Sequence, residues 1–128
     1  MNDDGAGELP FRMADLPGVR AYAAAYARRR GMTEDRVGNL LLAVNEVATN
    51  AVTHGSGQAR LRLWDTHESL VVEIRDGGHW SPQSPPGAAP PRDYATSGMG
   101  LWVSRLLSDS IHFDTGSRGT VVTMSFHV

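Results

Sequence analysis

Apolar residues recur at helical spacing from Val37 through Leu40, Leu41, Val44, Val47 and Ala48 to Ala51, and from Ala59 onward the apolar period drops to two. The first pattern specifies one amphipathic helix with a single buried stripe, and the second specifies strands with one buried face. Ala59, Leu61 and Leu63 alternate with Arg60, Arg62 and Trp64, and Leu70, Val72 and Ile74 alternate with Val71, Glu73 and Arg75. Such a helix set before such strands predicts a two-layer α/β sandwich: helices on one face of a mixed, mostly antiparallel sheet.

The flanking residues extend this plan. Leu9 to Met13 reads as a short strand. Asp15 reads as the N-cap of a first helix with Pro17 in its first turn, and Val19, Tyr22, Ala23, Tyr26 and Ala27 give its buried side. Gly31 stops that helix, and Thr33 caps the second, with Glu34 and Asp35 suited to the positive end of its dipole. The second helix is expected to end near His54 and Gly55, and residues 65–69 form a hairpin turn. Residues 77–98 hold five of the seven prolines and no periodicity, which predicts a lid, a binding loop or disorder. Order resumes with a short helix carrying Leu101, Val103, Leu106 and Leu107, a strand with Ile111 and Phe113, a turn from Gly116 to Gly119, and a last strand with Val122, Met124 and Phe126. The expected organisation is a flexible segment over 1–8 and a single domain over 9–128, with the lid at about 79–97.

Composition removes several chemistries. The 128 residues suffice for one core but not two, and the absence of cysteine excludes disulfides, zinc-thiolate sites and thiol nucleophiles. All 12 basic residues are arginine, so no lysine can serve a phosphate loop or a Schiff base. A net charge of −2 gives no pull toward nucleic acid or anionic membrane. No apolar run approaches the roughly 20 residues of a membrane span, and the N-terminus is acidic, unlike a signal peptide, so the cytoplasm is the expected location.

Four elements carry candidate chemistry. Glu46, Asn50 and His54 are spaced by four residues and line one face of the second helix. The Asn50 amide oxygen suits a hard cation such as Mg²⁺, and Glu46 suits a general base, although the same residues also fit the solvated side of an amphipathic helix. Asp76-Gly77-Gly78 places a carboxylate at a strand end beside glycines, an arrangement that accepts from an exocyclic amine or simply ends a strand. Ser97-Gly98-Met99-Gly100-Leu101 opens a helix whose N–H groups can meet phosphate. Gly119-Thr120 opens the last strand.

In this order the four elements resemble the GHKL (histidine-kinase-like) ATPases, and among them the bacterial anti-sigma factor serine/threonine kinases. EVATNAVTHG at 46–55 is similar to the family's N box, IRDGG at 74–78 to its first glycine box, SGMGLWVSRLLSD at 97–109 to its second, and GTVVTMSF at 119–126 to its third. The likeness spans residues 9–126. It implies a Bergerat-type ATP-binding fold with Asp76 on the adenine amine, Thr120 supporting Asp76 through water, and Asn50 holding Mg²⁺. It further implies Glu46 as general base, Ser97, Gly98, Met99, Gly100 and Leu101 around the phosphates, Gly78 at the pocket edge, His54 near the phosphates, and Arg20 on a partner protein. The partners implied are a STAS-type anti-anti-sigma protein and a sigma factor, with the kinase acting as a homodimer. Trp80 departs from the family, standing where the first glycine box has a second glycine. That departure favours an alternative: a nucleotide-gated binding module with little or no phosphotransfer.

Overall fold

The computed structural model describes residues 8–78, 104–117 and 119–128. Strand β1 (Leu9–Phe11) leads through a 3₁₀ turn (Met13–Asp15) into helix α1 (Leu16–Arg29) and helix α2 (Glu34–His54). The hairpin β2 (Ala59–Asp65) and β3 (Ser69–Asp76) follows, and β4 (Ser110–Gly116) and β5 (Gly119–His127) complete the sheet. Residues 104–107 are helical. The strands run in the spatial order β1-β2-β3-β5-β4, and each of the four pairings among the described residues is antiparallel. The sheet is therefore antiparallel across the described strands rather than mixed.

The helix boundaries follow from local chemistry. The Thr33 side chain accepts from the Arg36 N–H at 3.3 Å, and Glu34 and Asp35 occupy the first turn of α2. Asp15 precedes α1 as expected but does not cap it, because its carboxylate accepts from the Arg12 N–H at 2.9 Å and closes the 3₁₀ turn instead. Two of the three arginines at the end of α1 are anchored by ion pairs: Arg28 pairs with Glu34 at 2.9 Å, and Arg30 pairs with Asp65. The Arg28 guanidinium, hydrogen-bonded to Glu34, holds that carboxyl below its ordinary range.

The core lies between the helices and one face of the sheet. Val37, Leu40, Val44, Val47 and Ala51 of α2 are buried against Leu61, Leu63, Leu70, Val72 and Ile74, with Val122, Met124 and Phe126 completing the layer. Register explains this: Leu61 pairs with Ile74 and Ile74 with Val122, so like-facing residues align across three strands. The opposite face carries Arg60, Arg62, Glu73 and Arg75. There the Arg62 guanidinium lies 5.1 Å from the Trp64 ring centroid and 3.6 Å from Glu73 Oε1. Among the described residues no helix is long and apolar enough to cross a membrane.

Candidate functional site

Asp76 is the last residue of β3, and its register with Ala59 and Thr120 puts its side chain on the face covered by helices. It is only 8% exposed. The Gly78 N–H donates to Asp76 Oδ1 at 2.6 Å, and the Thr120 hydroxyl donates to the Gly78 carbonyl at 3.1 Å. Thr120 thus braces the glycine turn that holds the carboxylate.

Three glycines make room for this arrangement. A Cβ on Gly55, the C-cap of α2, would overlap Asp76 Oδ1 and the Ala51 carbonyl. A Cβ on Gly78 would stand 2.5 Å from the Gly55 Cα, so the turn after β3 and the end of α2 touch backbone to backbone. Gly119 has φ +120°, and a Cβ there would overlap the Asp76 backbone oxygen. Gly119→Ala therefore combines strain with overlap and is expected to cost about 2–4 kcal/mol of stability, read as a lowered urea midpoint. A midpoint equal to that of the unsubstituted protein would remove the argument for close packing at this corner.

From that corner α2 runs back through the other candidates. His54 is exposed at the end of the helix, Asn50 is 5% exposed, and Glu46 is half-buried. Asn50 belongs to the buried side more than its spacing suggests, and its Nδ2 has no hydrogen-bond partner among the described residues. A buried amide left so is costly unless something else meets it. A half-turn of the amide exchanges its nitrogen and oxygen, so it can offer a donor to phosphate or an acceptor to a cation. Among the described residues no three His, Cys, Asp or Glu side chains gather into a metal site. A divalent cation here would rely on Asn50, water and phosphate oxygens, which is how Mg²⁺ is commonly held. The donor set fits Mg-nucleotide.

Sequence reasoning missed Gly55, read only as a helix stop, and Asn45. Arg20 on α1 is half-buried, and its Nη1 donates to Asn45 Oδ1 at 2.8 Å, tying α1 to α2 one residue before Glu46. The helical turn at 104–107 is docked from another side, with the buried Ser104 hydroxyl donating to the Ala43 carbonyl at 3.3 Å. Ser97, Gly98, Met99, Gly100 and Leu101, along with the expected lid and Trp80, lie outside the described residues. A cavity of about 760 Å³ shares Asp76 and Gly119 with this corner. Its other walls include Arg60, Arg75 and Val121, which face away from the helices, and neither Glu46 nor Asn50 lines it. It is the reverse side of the corner from Glu46 and Asn50.

Comparison with known proteins gives the same frame. No curated protein matches the sequence. Among solved structures, the RsbU and RsbW domains of Rv1364c from Mycobacterium tuberculosis superpose with a TM-score of 0.65 at 17% identity, over 94% of this chain and 32% of that one. The histidine kinase domain of the Erythrobacter litoralis EL346 blue-light activated histidine kinase gives 0.60 at 19% identity, over 88% of this chain and 60% of that one. The catalytic domain of histidine kinase ThkA gives 0.54 at 15% identity, over 94% and 97%. The chain thus spans about a third of the first of these proteins and three-fifths of the second. At such identities the superpositions establish the fold. The profile of the histidine kinase-like ATPase domain matches residues 9–126, nearly the whole chain, and the chain belongs to that family.

Proposed function

We propose that this chain binds Mg-ATP between the C-terminal half of α2 and the Asp76 corner, and that it is an anti-sigma factor and protein serine/threonine kinase acting on a STAS-type anti-anti-sigma partner. The observation that carries the reading is the direct packing of the α2 C-cap on the Asp76 carboxylate. It sets a buried carboxylate at one end of a helix whose Asn50 and Glu46 lie about 7 Å and about 13 Å back along the axis. A ligand with a flat amine-bearing base at one end and a charged phosphate chain at the other matches that spread. The RsbW domain in one structural relative supports the partner-switching context.

In this reading the Asp76 carboxylate accepts from the adenine amine, and the Asn50 amide meets the phosphate–magnesium end. Asn50 would hold Mg²⁺ bound with the nucleotide, and that cation would supply charge neutralisation at the phosphates. The partner's serine or threonine oxygen bonds to the γ-phosphorus while its proton passes to the Glu46 carboxylate. The bond from that phosphorus to the β–γ bridging oxygen breaks, and ADP leaves. Silencing of a sigma factor and homodimer formation follow from the same reading.

The test is incubation with Mg-ATP labelled at the γ-phosphate and STAS proteins from the same genome. Label on a partner serine or threonine is the expected result. ATP-dependent capture of the partner without labelled product selects the nucleotide-gated module, the reading that Trp80 in the first glycine box favours. Failure to bind ATP removes both.

A further inference from the structure

Gly55 is the point where α2 and β3 meet. Its φ is −93°, outside the left-handed region, and its N–H still closes the helix on the Ala51 carbonyl at 3.1 Å. What the site demands is space, since any side chain would overlap Asp76 Oδ1 and the Ala51 carbonyl oxygen and stand 2.5 Å from Asp76 Cγ. The Gly78 N–H, from the turn that packs on Gly55, holds the same oxygen at 2.6 Å. The carboxylate is therefore confined by close contact with a bare Cα and by a short hydrogen bond to the same oxygen. Gly38, also in α2, is exposed, and a Cβ there would meet nothing within 4 Å among the described residues.

We propose that Gly55 is a specificity-determining positioning residue, whose bare Cα fixes the Asp76 carboxylate in the orientation that distinguishes an amino-purine from an oxo-purine. The proposal rests on the ATP-binding reading above. An ionised carboxylate only accepts hydrogen bonds, so it attracts the 6-amine of adenine and repels the 6-oxygen of hypoxanthine. That discrimination depends on direction, because hydrogen bonds weaken steeply off their axis. A methyl on Gly55 would turn or push the carboxylate. The ring and phosphate contacts are shared by ATP and ITP, so the ratio of the two affinities isolates the carboxylate's orientation from any shift of the α2 end at the Ala51 carbonyl. Base selectivity would then be set by the same helix that carries Asn50 and Glu46.

The experiment measures dissociation constants of the full chain for Mg-ATP and Mg-ITP by titration calorimetry, in the unsubstituted protein, Gly55→Ala and Gly38→Ala. Gly55→Ala is expected to lower the ATP-over-ITP preference by about tenfold, equivalent to about 1.4 kcal/mol, mostly through weaker ATP binding. Gly38→Ala is expected to keep the original preference. A folded Gly55→Ala protein with unchanged preference overturns the proposal, and so does one that loses both nucleotides equally, since that marks a purely structural role. If the unsubstituted protein binds both nucleotides alike, the Asp76 base-recognition reading fails; if it binds neither, the ATP reading fails, and the proposal falls in both cases. Should Gly55→Ala not fold, amide hydrogen exchange on the unsubstituted protein decides. At equal saturation, ATP is expected to slow exchange at the Gly55 and Gly78 amides more than ITP does, and equal protection by the two overturns the proposal.

Discussion

Asp76→Asn is expected to weaken Mg-ATP binding by about a hundredfold, through loss of a hydrogen bond to a charged acceptor worth about 1.5–3 kcal/mol. The substitution is nearly isosteric, so the corner between α2 and β3 remains packed. The Gly78 N–H continues to require an acceptor at 2.6 Å, and the new amide can satisfy it only with its oxygen. Its NH₂ group is then left at the other carboxylate position, where it opposes the adenine amine donor to donor. An unsatisfied or opposed buried polar group costs more than a missing contact, which places the effect toward the upper end of the range. The same swap should improve ITP relative to ATP, because an NH₂ group can donate to a 6-oxygen. Titration calorimetry with both nucleotides measures this, and the melting temperature checks the fold. An ATP affinity within threefold of the unsubstituted protein would remove Asp76 from the base site.

Much of this architecture was legible because it is written in periodicity. The α2 stripe, the alternation in β2 and β3, and the stops at Gly31 and Gly55 depend on residues close in sequence, and each appears at its expected place. Departures arise where tertiary packing adds a second surface. Leu41, expected in the buried stripe, is only half-buried, and Asn50, expected beside the stripe, is nearly enclosed. Val71 points away from the helices yet is 7% exposed, at a position paired with Trp64 on the neighbouring strand. Spacing within α2 could align Glu46 with Asn50 but not bring Asp76 to them, since that depends on contact between Gly55 and a carboxylate 21 positions later. Gly55 and Gly119 each read locally as ordinary punctuation, a helix stop and a hairpin. Their steric role exists only when α2, β3 and β5 share one corner. The bond from Arg20 to Asn45 was hidden for the same reason, because a charge on a helix face gives no sign of which neighbouring helix it reaches.

Glu46→Gln is expected to lower the rate of partner phosphorylation by about 10²- to 10⁴-fold, the usual contribution of a positioned general base, while Mg-ATP affinity stays within about threefold. The two effects separate because of where Glu46 sits. It lies one helical turn before Asn50 and nine residues before Gly55, which in the proposed reading sets it away from the base and at the phosphate end. It is half-buried, open enough for an incoming hydroxyl yet sheltered enough for its charge to matter. Its neighbour Asn45 is held by Arg20 at 2.8 Å, and Ala43 by Ser104 at 3.3 Å, so this stretch of α2 is braced on both sides. A glutamine keeps the shape and hydrogen-bonding reach of the side chain but cannot take up a proton at neutral pH. Loss of rate with retained binding therefore reports proton transfer rather than displacement of the helix. Single-turnover transfer from labelled Mg-ATP to the STAS partner gives the rate, and calorimetry gives the affinity. Transfer by Glu46→Gln at the unsubstituted rate would exclude proton transfer to Glu46 as a contributor, leaving positioning and charge stabilisation to account for catalysis. A fall in ATP affinity that matches the fall in rate would instead make Glu46 part of the binding surface.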